Sequence, residues 1–142
     1  MSIIIVGMGP GNPSHLTVQA HTILREAGRV YARTGRHPTV DYLRAAGVDV
    51  QTFDDLYEEH DLLPDVYAAI AERVLELDAA GAADGTLVYA VPGHPLVAES
   101  TTTLILEAAG RQGRTVTLVD GMSFVEPTIS ALSVDLLRGV QI

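Results

Sequence analysis

The sequence predicts one α/β domain: a mainly parallel five-stranded sheet with helices on both faces. Three observations carry this. Short apolar, β-rich runs alternate with longer stretches of helical periodicity along the whole chain. The first, fourth and fifth of those runs lead into glycine turns, at Gly7, Gly93 and Gly121. The length, 142 residues, suits one domain with a sizeable core and is too short for two ordinary ones.

Each element has its own signature. Ser2–Gly7 reads as a strand whose continuous apolar run suits burial on both faces. Thr17–Ala27 reads as a helix, with Ala20, Ile23, Leu24 and Ala27 at helical spacing, Thr17 as cap and Gly28 as the residue that ends it. Arg29–Arg33 is the second strand. Pro38 opens a second helix that stops at Gly47. Asp49–Phe53 is the third strand, followed by an acidic loop and a helix over Pro64–Ala80 with the stripe Val66, Ile70, Val74 and Leu77. Thr86–Val91 is the fourth strand. A helix over Val97–Gln112, a fifth strand over Thr115–Val119 and a helix over Phe124–Leu132 complete the pattern, and the tail Val134–Ile142 holds no finished element.

Composition narrows the function. Apolar residues make up 47% of the chain, as in a globule, and there is no cysteine, hence no disulfide framework, thiolate nucleophile or cysteine-held metal. The net charge of -9 argues against a nucleic-acid partner, which needs a basic stripe. All nine basic residues are arginine, so neither a Schiff-base lysine nor a Walker lysine is present. No run of about 18 apolar residues marks a membrane span. No signal peptide is visible at the start, and the expected location is the cytoplasm.

The opening loop, Val6-Gly7-Met8-Gly9-Pro10-Gly11-Asn12-Pro13, lies where ligands bind in open α/β sheets, beyond the carboxyl end of a strand. Gly7 and Gly9 fit a dinucleotide fingerprint, but its third glycine would fall at Asn12, and Pro10 removes a backbone donor. The second strand ends at Arg33 rather than on a carboxylate, which leaves an NADP-binding fold as the weaker reading. The favoured one is a tight turn that a bulky, phosphate-free ligand approaches closely. After the fourth strand comes Pro92-Gly93-His94-Pro95, with Pro95 suited to the first turn of a helix. After the fifth comes Asp120-Gly121-Met122-Ser123, with Ser123 at a cap position.

With these motifs the whole chain resembles the N-terminal half of the tetrapyrrole (corrin/porphyrin) methylases. The resemblance rests on "VGMGPGNPSHLT", "VYAVPGHPLVAEST" and "DGMSFVEPTISAL", in the family's order. Within the family, "VPGHPLVAE" looks most like the branch fused ahead of a MazG-type nucleoside triphosphate pyrophosphohydrolase. The resemblance implies S-adenosylmethionine as methyl donor. It places Pro92, Gly93 and His94 against the donor through backbone groups, and Gly121, Met122 and Ser123 on the opposite wall. Gly7, Gly9, Pro10 and Gly11 fall on the side of a small, tetrapyrrole-like substrate. Two departures stand out: His94 occupies a position where many active members carry aspartate, and the family's second α/β half is absent from this chain. Self-association through the surface that half would cover is expected, as is a fused or partner MazG-type domain. A binding or regulatory module without catalysis, attached to such a pyrophosphohydrolase, is the rival reading.

Methyl transfer from a sulfonium is largely a matter of positioning and needs no metal or covalent nucleophile. His94 is the candidate for proton handling, with a loop hydrogen-bond donor as the alternative. His15 is expected to make a local hydrogen bond, His21 to sit on a solvated helix face, and His37 to stand in a turn. Arg33, Arg36 and His37 read as a solvated loop, or else as a carboxylate-binding group. Asp54, Asp55, Glu58, Glu59 and Asp61, with His60 among them, read as a solvated acidic loop. Only Glu58 and Asp61 have the spacing of a pyrophosphohydrolase metal motif, and they lack its partner, so no metal site is expected.

Overall fold

In the computed structural model the described residues are 2–81, 85–139 and 141. The first strand, β1 (Ser2–Gly7), lies inside the sheet, between β4 (Thr86–Val91) and the edge strand β5 (Thr115–Val119). Beyond β4 come β2 (Arg29–Ala32) and the other edge, β3 (Asp49–Thr52). The order is β3-β2-β4-β1-β5 and every pairing is parallel. The long apolar runs of β1 and β4 follow from this, since the central strands of a parallel sheet are covered on both faces.

Alternation along these strands divides the core in two. Ile3 and Ile5 of β1 and Leu87, Tyr89 and Val91 of β4 face a cluster that holds Val66, Ile70 and Val74 of helix α4 (Leu63–Ala79) and Ile105 and Ala109 of helix α5 (Ser100–Arg111). Val6, Val88 and Ala90 face the other cluster, with Ala20 and Leu24 of α1 (Val18–Glu26) and Val40 and Leu43 of α2 (Pro38–Ala45). Each fully buried aliphatic side chain contributes about 1.5–3 kcal/mol of transfer free energy, so both faces are needed to hold the sheet.

Local signals act largely as the sequence suggests. The Thr17 hydroxyl accepts from the Ala20 amide, 3.0 Å away, and caps α1. Pro38 lies in the first turn of α2, and Gly47, at φ 88°, ends it. Gly28 is different: α1 closes with Ala27 in an extended conformation, and Gly28 is not left-handed.

Two other elements depart from expectation. The acidic stretch after β3 is a short helix, α3 (Asp54–Glu59). Asp54 accepts from the Thr34 hydroxyl at 2.7 Å and the Gly35 amide at 2.9 Å, which ties α3 to the loop after β2. Pro95 opens no helix, because α5 begins only at Ser100. The residues between form a loop in which Ala98 is left-handed, at φ 52°. The last helix, α6 (Val125–Leu132), is followed by a 3-10 turn at Leu136–Arg138, and neither buries a side chain. Among the described residues no helix is long and apolar enough to cross a membrane.

Candidate functional site

All five strands run the same way, so the glycine loops after β1, β4 and β5 share the carboxyl edge of the sheet. The chain leaves β1 for the α1 face and leaves β4 for the α5 face. Adjacent strands that part to opposite faces create a crevice, and here it lies between the β1 and β4 loops.

Backbone contacts lock these loops together. Gly9 and Gly93 form an antiparallel bridge, with the Gly93 amide on the Gly9 carbonyl at 2.8 Å and the return bond at 3.2 Å. Beneath it Gly7 packs directly on Gly121. A β-carbon on Gly7 would lie 2.8 Å from the Gly121 Cα and closer still to the Gly93 carbonyl oxygen. Gly121 is confined in the same way. The sequence suggests that these glycines make room for a ligand; at Gly7 and Gly121 they make room for each other. Gly9 and Gly93 are left-handed, at φ 77° and 71°.

His37 supports the first loop from below. It is buried at the N-cap of α2 and its Nδ1 accepts from the Thr39 amide at 3.2 Å. Nε2 therefore carries the proton and donates to the Gly9 carbonyl at 3.1 Å. Burial lowers its pKa, the Gly9 bond opposes that, and nearby Arg33 lowers it further. The expected turn residue is thus a neutral, buried strut.

The β4 loop is held at two points. His94 accepts from the Leu96 amide through Nδ1 at 3.0 Å and donates through Nε2 to Asp120 at 3.2 Å. It acts as a hydrogen-bond donor that joins the β4 and β5 loops. At the loop's exit the Glu99 side chain is only 2% exposed and meets Arg33 Nη1 at 2.5 Å. Arg33 and Glu99 therefore belong to a buried network, not to a solvated loop. The third loop is fixed by Ser123, whose hydroxyl accepts from the Val125 amide and bonds to the Glu126 carboxylate. Burial pushes the Glu126 pKa up, but the Ser123 hydroxyl and amide hold it below its ordinary value.

A cleft of about 180 Å³ opens above this floor, lined by Pro10, Arg33, His37, Pro92, Gly93, Val97, Ala98, Glu99 and Phe124. A larger depression, about 630 Å³, lies at the amino ends of the strands beside Arg29 and Thr86. It lies at the opposite edge of the sheet from the three loops. The cleft at the carboxyl edge is the better candidate.

The tetrapyrrole (corrin/porphyrin) methylases match this chain over residues 2–142. The chain belongs to that family. Its Bacillus subtilis relative, the uncharacterized protein YabN, is 39% identical over 98% of this chain, which spans only 28% of YabN's length. A solved uroporphyrin-III C-methyltransferase from Thermus thermophilus is 26% identical with a TM-score of 0.63, covering 97% of this chain and 55% of that one. A Thermus thermophilus structure of that enzyme complexed with S-adenosylhomocysteine shares the fold at 21% identity and a TM-score of 0.59, over 96% of this chain and 50% of its own. Diphthine synthase shares it at 21% and 0.62, over 96% and 51%.

Of the positions the methylase resemblance singles out, Pro10, Pro92 and Gly93 line the cleft. Gly7, Gly9, Gly121 and Ser123 are buried in the floor, while Gly11, Met122 and His94 are half-buried around it. Glu99 goes unremarked in the sequence because an acidic residue ahead of an apolar helix reads as an ordinary helix start.

Other expectations change. His15 Nδ1 is buried without a hydrogen-bond partner, so the expected local bond from its ring is not made there. His21 is exposed in part but pairs with the Tyr42 hydroxyl at 3.0 Å, linking α1 to α2. Among the described residues no group of three His, Asp or Glu side chains could hold a metal ion.

Proposed function

We infer that this chain is the N-terminal half of an S-adenosylmethionine-dependent methyltransferase fold, with the donor bound where the β4 and β5 loops meet. Pro92, Gly93 and His94 form one wall of the donor site and Gly121, Met122 and Ser123 the other. Gly7, Gly9, Pro10 and Gly11 face the acceptor, a small tetrapyrrole-like molecule. The observation that carries the reading is the locked triad of glycine loops at the sheet's switch point, in a chain of the methylase family. The S-adenosylhomocysteine complex of a protein with this fold supports the choice of ligand.

The residues fit such a donor. Its adenosine and methionine parts need backbone donors and acceptors with a few apolar walls, and the cleft offers Pro92, Val97 and Phe124 around loop backbone. The protein's own contribution is to hold the electrophilic methyl and the acceptor in line and to exclude water. His94 already donates to Asp120, so its role here is to orient the two donor walls. The methyl acceptor must supply its own nucleophile.

A second reading, a binding module attached to a MazG-type pyrophosphohydrolase, is favoured by one feature: the family's frequent aspartate is replaced by a histidine engaged in loop structure. Calorimetry separates the two. Micromolar binding of S-adenosylhomocysteine, about -8 kcal/mol, with no heat from NADP, is the expected result. Absence of binding by donor and product alike would leave the module reading.

A further inference from the structure

We propose that Arg33 and Glu99 form a positioning clamp that sets the shape of the β4 loop, residues 92–99, and through it the affinity of the donor site. This rests on the methyl-donor reading for the ligand but on separate atoms for the clamp.

The loop is anchored at both ends by different means. At its entry the anchor is backbone, the Gly9–Gly93 bridge. At its exit the anchor is a side chain. Glu99 Oε2 meets Arg33 Nη1 at 2.5 Å, and Glu99 Oε1 accepts from the Thr101 hydroxyl at 2.6 Å. Because Thr101 donates there, it must accept from the Tyr89 hydroxyl, 2.8 Å away. Tyr89 is fully buried in β4, and burial pushes its pKa well up, so it remains a donor. Arg33 is itself fixed, since its amide donates to the Ala90 carbonyl at 2.9 Å as the chain leaves β2. Thus the exit of the loop is registered against β2 and β4 at once.

Between the anchors the loop depends on local bonds and carries strain. The Leu96 amide bonds to His94 Nδ1, and the Val97 amide to the His94 carbonyl at 3.2 Å. Ala98, next to Glu99, is left-handed at φ 52°. A non-glycine residue holds that conformation only when its surroundings over-determine it. The ion pair is the adjacent restraint of sufficient strength, being charged on both sides and nearly dry on the Glu99 side. Arg33, Val97, Ala98 and Glu99 all line the cleft, so movement of the exit would reshape the space a ligand occupies.

Hydrogen–deuterium exchange and calorimetry with S-adenosylhomocysteine, on wild type and variants, test the clamp. Glu99→Gln should speed exchange across residues 94–100 by about tenfold or more while β1 and β4 amides keep their protection. Affinity should fall by about tenfold or more in parallel. Arg33→Lys keeps the charge without the planar fork and should lie between the two. If Glu99→Gln fails to fold because Arg33 is left unpaired, the Arg33→Gln/Glu99→Gln pair removes both charges and should show the same local effect. Exchange in 94–100 that stays at the wild-type rate, or rises only together with β1 and β4, overturns the clamp. Failure of wild type to bind the probe overturns the donor reading instead, and the exchange pattern still decides whether the clamp exists.

Discussion

Gly7 and Gly121 leave no space for a side chain, and the obstacle is backbone that cannot swing aside. Gly7→Ala is expected to lower unfolding free energy by about 3 kcal/mol, at the upper end of overpacking costs, as read by urea denaturation. Gly93 differs. A β-carbon there meets nothing closer than 3.7 Å, and the penalty comes from its left-handed φ. Gly93→Ala should cost only about 1–2 kcal/mol, and any loss of ligand affinity beyond that reports on the site itself. His37 carries a pH signature. Its folded pKa is lowered, so the folded state resists protonation and needs Nδ1 as an acceptor for Thr39. Its stabilising contribution is complete above the unfolded value of about 6.5 and is lost as pH falls below it, levelling off beneath the folded pKa. The lowered pKa values of Asp54 and Glu126 also make acid destabilising, but they act in the carboxylate range. Denaturation midpoints should therefore begin to drop as pH falls through about 6.5, above the carboxylate range, and His37→Gln should flatten that part of the profile.

At the scale of elements, the loop between β4 and α5 is the one that local rules misread. Pro95 followed by apolar residues looks like a helix start, yet α5 waits for Ser100. Glu99 stands at the N-cap of α5 without capping it, its carboxylate being in the Arg33 pair, and Ala98 before it is left-handed. Ala98 takes the strain. Ala98→Gly should relieve it, and because glycine also loses more entropy on folding the net gain is expected to be below about 1 kcal/mol in thermal or urea melts. A clear loss of stability would show that the Ala98 methyl packs usefully. Helix α3 was hidden for a similar reason. Six residues with little apolar periodicity read as loop, and what stabilises them is tertiary: buried Leu56 and the bonds from Asp54 to Thr34 and Gly35.

At the scale of the molecule the apolar surface is uneven. Phe124, Leu132, Val134, Leu136 and Leu137 are all exposed, Leu137 at 91%, and α6 buries no residue although half its side chains are apolar. Monomeric proteins rarely carry large contiguous apolar patches. The chain on its own is expected to self-associate in sedimentation velocity as concentration rises, and Leu132→Glu with Leu137→Glu should restore a monomer. A sharp monomer boundary for the wild-type chain at high concentration would refute this.

The sequence by itself determined the α/β class, the five strands and most of the helices. Those depend on periodicity, caps and turns, which act within a few residues. It also marked three glycine loops on a common edge, because parallel strands send their carboxyl ends to one side. Only the tertiary structure decided what the loops do with their glycines. Gly7 and Gly121 lie more than a hundred residues apart, and their contact exists only once β5 has paired with β1. The same holds for the partners of charge. Arg33 reads as solvated in sequence and Glu99 does not stand out, because nothing local reveals that β2 and β4 are neighbours and that a buried carboxylate must find its cation across them.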